Sequence, residues 1–188
     1  MDVGDNMFKK EKKKNSNIGW IITISLLAFA ISFVFSFAST SILNDVNMIV
    51  GIIVLLVFIF IGIMFDMIGV AVTSADIGPL NAMSARKIKG ADIAVLMIKN
   101  SAKVASVCND VVGDICGIIS GTAAATLSVL VANALNSSLL LVSLIVTAIT
   151  ASLTIGGKAI FKEIAIRNST SIVSAAAKIV SLFYKVKK

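Results

Sequence analysis

The chain contains no histidine, one proline, two cysteines, one tryptophan and one tyrosine among 188 residues. Without imidazole there is no general base of the usual kind and no partner for a serine or cysteine nucleophile, so triad chemistry is disfavoured. Zinc sites, which draw on cysteine and histidine, are disfavoured for the same reason. No nucleophile–base pair is recognisable, and the chain is not expected to be an enzyme. A glycine-rich phosphate loop is also lacking, since Gly156-Gly157-Lys158 is too short to form one. Cys108 and Cys116 lie at the start of an apolar run and suit buried small hydrophobes better than a disulfide.

Charge is scarce and unevenly placed. Charged residues make up 14% of the chain and hydrophobic ones 57%, with a mean hydropathy of +0.99. A soluble domain of this length has no means of burying so much apolar surface. All Lys and Arg residues fall in three segments: Lys9 to Lys14, Arg86 to Lys103, and Lys158 to Lys188. Each gap between them is long enough to cross a bilayer out and back. The turns within the gaps, Ser39 to Asn47 and Asn133 to Ser138, carry no basic residue. Basic residues flanking spans stay on the cytoplasmic side. The expected architecture is therefore an all-α membrane protein with four transmembrane helices, cytoplasmic juxtamembrane amphipathic helices and both termini in the cytoplasm. The net charge of +7 follows from this bias and does not call for nucleic acid as a partner; the same clusters favour anionic lipid headgroups.

Residues 1–17 read as a basic cytoplasmic tail and residues 18–38 as an additional transmembrane anchor with Trp20 at its interface. The same stretch has features of a signal peptide, ending in the small-x-small triplet Ser36-Phe37-Ala38, but its apolar run is long for one. Residues 48–168 read as the main transmembrane domain, with spans near 48–75, 110–132 and 138–156. Juxtamembrane helices are expected over 79–108, with Pro79 in a first turn and Gly90 between two short helices. Residues 169–188 read as a basic amphipathic helix whose apolar face is Ile172, Ala176, Ile179 and Phe183.

Three acids stand where a membrane protein avoids them: Asp66, Asp110 and Asp114. Asp110 and Asp114 are one α-helical turn apart, and Asn109 adjoins them. With soft ligands scarce, carboxylate and amide oxygens favour magnesium or calcium. The same two aspartates also suit a helix start, where carboxylates meet the positive end of the dipole. Gly113, Gly117 and Gly121 follow a four-residue step that permits close helix packing, within the chain or across a dimer.

Four short stretches, in this order, resemble the transmembrane domain of the cyclin M (CNNM) and CorB/CorC magnesium transporters. Phe65-Asp66-Met67-Ile68-Gly69-Val70-Ala71-Val72-Thr73-Ser74 is similar to the first-span motif F-S-G-S-E-x-A-L-T-S. Ala82 to Gly90 resembles the basic juxtamembrane helix with its glycine. Cys108-Asn109-Asp110-Val111-Val112-Gly113-Asp114-Ile115 resembles G-N-N-x-x-N-I, and Gly157-Lys158-Ala159-Ile160-Phe161-Lys162 resembles G-E-x-x-P-K. The resemblance spans Phe65 to about Asn168. It implies a homodimer that binds dehydrated Mg2+ in an acidic, cytoplasm-facing cavity. Carried over by position, Asp66 stands where a serine is expected, while Asn109 and Gly157 match an asparagine and a glycine. Gly113 replaces the last asparagine, Lys158 a glutamate and Phe161 a proline. No counterpart of the CBS-domain pair of many members follows the late motif, so such regulation would require a separate protein. The leading expectation is a divergent magnesium or divalent-cation transporter, or cation-binding domain, of the cytoplasmic membrane, with metal oxygens from Asp66, Asn109, Asp110, Asp114 and Gly157. The alternative is a non-transporting membrane scaffold that retains the fold.

Overall fold

Three helices dominate the structure because three long stretches offer a backbone no other way to satisfy its peptide groups away from water. The computed structural model describes Ile18, Gly19, residues 21–23 and 25–34, Phe37, and residues 47–183. The basic tail expected over 1–17 lies outside these residues. The described residues are helical and contain no strand. In chain order they form α1 (Met48–Ser74), α2 (Ile77–Ala85), α3 (Ala91–Lys99) and α4 (Ser101–Ala105). A π-helical segment (Ser106–Val112) then leads into α5 (Gly113–Leu135), followed by α6 (Leu139–Arg167) and α7 (Ser169–Phe183).

Met48–Ser74, the continuous run Ser101–Leu135, and Leu139–Arg167 are long and apolar enough to cross a membrane. The fourth expected span, 18–38, is described only in part; its helical residues 25–34 include Ala28 and Ile31, which pack against Val111, Ile115 and Ile119. The second long helix begins at Ser101, so it runs without a break from the expected juxtamembrane residues 101–108 into the span. The last one continues to Arg167, well past the expected boundary at 156. Charge alone fixes neither end, because a helix leaves the hydrocarbon without having to stop.

The helices pack in two layers. In the first, Leu55, Ile59 and Ile63 of α1 meet Ala123, Ala124 and Leu127 of α5. In the second, Ala71 and Val72 at the end of α1 join Leu80, Ile93, Ala94, Ala165, Val173 and Ala177. This second core resembles that of a small soluble domain, built at the end of the bundle where the basic residues gather. α5 is the central helix: half of its apolar window is buried, against 6% of that of α6. The outer face of α6, including Leu140, Leu144 and Ile145, is left to lipid or to another chain.

Buried hydroxyls are satisfied inside their own helices, as an apolar surrounding requires. Ser128 donates to the Ala124 carbonyl at 2.8 Å, Thr150 to that of Val146 at 2.8 Å, and Ser120 to that of Gly117 at 3.0 Å. The turn after α5 passes through Asn136 in the left-handed region, a conformation asparagine tolerates. Gly90, with φ +86°, lies between α2 and α3 against the backbone of Lys178. A side chain there would be strained and would meet that backbone, so α7 can dock closely only at a glycine. The docked face of α7 is Val173, Ala176 and Ala177, all buried. The expected face is rotated from this, since Ile179 is 62% exposed. Close approach to Gly90 selects the small alanines for the interface.

Candidate functional site

The depth of the charges follows from helix length. About 20 helical residues cross the hydrocarbon. Counted from the opposite end of each span, Asp66, Asp114 and Lys158 all fall close to that distance. They form one polar layer near one end of the apolar bundle, between the two cores. Here insertion costs an acid less than at the span centre.

Asp66 is not alone in this layer. Its Oδ1 lies 3.6 Å from Lys158 Nζ, with side-chain exposures of 18% and 35%. The partner is distant in sequence and arrives on α6. Lys158 also faces Gly113, where an added Cβ would stand 3.9 Å from Nζ. Beside the pair opens a cavity of about 440 Å³, whose lining includes Gly62, Asp114, Cys116, Ser120, Thr154 and Lys158.

Asn109 sits in the π-helical segment and tucks its amide against Gly69 of α1, so that a Cβ on Gly69 would overlap it. Its Oδ1 is buried without a hydrogen-bond partner. π-helical turns recur at functional sites, and an orphaned buried carbonyl is costly unless something engages it. Asp110 points elsewhere: it is exposed and accepts a hydrogen bond from Ser106 at 2.7 Å. Asp114 lines the cavity and Asp110 does not. The two carboxylates, one α-helical turn apart in sequence, thus have different surroundings.

Gly157 is placed by packing, since a Cβ there would overlap the Ile63 side chain of α1. The three distant segments thus meet: Phe65–Ser74 touches Cys108–Ile115 through Gly69 and Asn109, and touches Gly157–Lys162 through Asp66 and Lys158. Among the described residues, however, no group of three Cys, Asp or Glu side chains stands close enough to hold a metal ion. Gly113 is buried in the site. Gly117 and Gly121 are exposed, with open space where a Cβ would be, so they make no close packing within the chain. That role belongs to Gly62 and Gly69. A Cβ on Gly62 would stand 3.1 Å from Cys116 Cβ. Both cysteines are buried and free.

Lys158 is the residue of this cluster that the sequence reading did not include among its candidates. A signal was present: Asp66 and Lys158 depart from the resembled motifs with opposite charges. Comparison with protein-family models, with characterised proteins and with solved structures finds no match for this chain.

Proposed function

We propose that the chain is a membrane-embedded divalent-cation-binding domain of the magnesium-transporter type, in which the Lys158 ammonium holds the cation's place until it is displaced. The carrying observation is the Asp66–Lys158 pair at 3.6 Å, whose lysine lines a cavity that also holds Asp114. Ionisable pairs inside membrane domains mark ion pathways. The Asp114 carboxylate adds a hard donor lining the same cavity, and the unpartnered Asn109 oxygen a second one beyond it, beside Gly69. On this reading the protein lies in the cytoplasmic membrane with its basic layer on the cytoplasmic side. The same pair favours a second reading, a non-transporting scaffold, because a carboxylate already neutralised by its own lysine needs no ion.

Calorimetry with Mg2+ on the detergent-solubilised full chain separates the two. Saturable binding is expected in the wild type. With one charge partner removed, Asp66→Asn weakens it and Lys158→Met tightens it, each by about tenfold. Absence of saturable heat from both the wild type and Lys158→Met would leave the scaffold.

A homodimer belongs to the proposal. Gly117 and Gly121 expose a smooth surface on α5, suited to a close helix approach from a second copy. Gly121→Leu is expected to leave the thermal stability of the protomer unchanged and to convert dimer to monomer by light scattering. A wild type that is monomeric at all concentrations discards this interface.

A further inference from the structure

A second cavity, of about 310 Å³, lies between α2 and α7 and is lined by Met83, Thr170, Ser171, Ser174, Ala175 and Lys178. It is remote in sequence and chemistry from the Asp66 site. The α7 residues recur at i, i+3, i+4 and i+7, so they form one stripe along the helix. This stripe presents three hydroxyls and an ammonium. Several serines and threonines described elsewhere donate to a carbonyl of their own helix. The Thr170, Ser171 and Ser174 hydroxyls make no hydrogen bond among the described residues, and Lys178 Nζ makes no ion pair there. Donors thus converge on a cavity that contains no carboxylate. The nearest acid on α3, Asp92, is engaged by the Ser84 hydroxyl.

We propose that this cavity binds a phosphate group, with the Lys178 ammonium and the Thr170, Ser171 and Ser174 hydroxyls as its donors. An ammonium with several hydroxyls matches the many acceptor oxygens of phosphate through charge-assisted hydrogen bonds. Two surroundings favour a lipid headgroup as the source. Ile179 and Leu182, on the turn next to Lys178, are 62% and 69% exposed, an apolar surface where acyl chains would lie. The α2–α3 connection packed on Lys178 through Gly90 carries Arg86, Lys87 and Lys89, which raise the local attraction for anionic lipid. Lys178 sits where the backbone of α7 is pinned by Gly90, so its side chain leaves from a fixed point.

The test uses the full chain in non-ionic detergent, titrated calorimetrically with dihexanoyl phosphatidic acid, dihexanoyl phosphatidylcholine and inorganic phosphate. One saturable site per chain is expected for phosphatidic acid. Removing the charged donor in Lys178→Met weakens it by about tenfold, and Lys178→Arg keeps it within about threefold. Thr170→Val with Ser174→Ala weakens it severalfold. Lys162→Met, a charge change outside the cavity, leaves it unaltered. Inorganic phosphate binding as tightly as the lipid, and equally sensitive to Lys178→Met, supports the phosphate site and assigns it to the free ion. Equal binding by wild type and Lys178→Met overturns the proposal, as does equal binding of phosphatidylcholine. Because Lys178 is exposed, the variant folds; a monodisperse size-exclusion peak checks this. None of these readouts depends on Asp66, so failure here leaves the cation-site reading standing.

Discussion

Lys158→Met is expected to lower the stability of the protein more than Asp66→Asn, and the double variant to recover most of the loss. Each single change leaves one charge without its partner in the half-buried polar layer. The consequences differ because the side chains differ. Asp66 is short and only 18% exposed, so its carboxylate has little room to reach water. Lys158 is 35% exposed and carries a flexible stem, so an orphaned ammonium can swing outward. Breaking a fully buried pair costs about 3–5 kcal/mol, while a surface pair is worth at most about 1. Partial exposure places Lys158→Met between these limits, at about 1–3 kcal/mol. The measurement is a double-mutant cycle by reversible unfolding in mixed detergent micelles. Additive losses in the double variant would show that the two groups do not interact.

Gly69→Ala carries the second large effect. Its Cβ would overlap the Asn109 amide, which is itself confined in the packed bundle. Overpacking of this kind costs about 1–3 kcal/mol. The helix regains about 1 kcal/mol from the better propensity of alanine. A clash with an entire amide group, rather than the tip of a long side chain, puts the cost at the upper end of its range, for a net loss of about 2 kcal/mol. Gly69→Val loses more. Asn109→Ala in the Gly69→Ala background restores stability, because it removes the obstructing group. On its own, Asn109→Ala is close to neutral in stability, since it deletes an oxygen that has no partner, yet it weakens Mg2+ binding if that oxygen is a ligand. A Gly69→Ala protein as stable as the wild type would show that the amide moves aside freely.

These two effects also show how far the site could be read from residue order. Asp66 and Asn109 are legible as polar exceptions in apolar runs, and Gly69 as a break in one. Their connection is not legible, because each contact joins residues from different spans. The sequence likewise suggests that Asp110 and Asp114 share a face, an inference that assumes regular α-helix. Asp110 lies in the π-helical segment and bonds to Ser106 while Asp114 lines the cavity, and nothing in Ser106–Val112 announces that segment beyond the polar residues it contains. Gly117 and Gly121 teach the same point in reverse. Their spacing is that of a packing motif, but the protomer packs through Gly62 and Gly69, which follow no such step.

The linear pattern determined the helical class, the three long apolar helices and the end of the bundle where charge collects, because hydrophobic run length and backbone hydrogen bonding in apolar surroundings are properties of a single segment. The partner of Asp66, the burial of Asn109 and the cavity lined by Lys178 were decided only in three dimensions. Such features depend on which faces of separate helices meet, and close approach at a few glycines selects those faces.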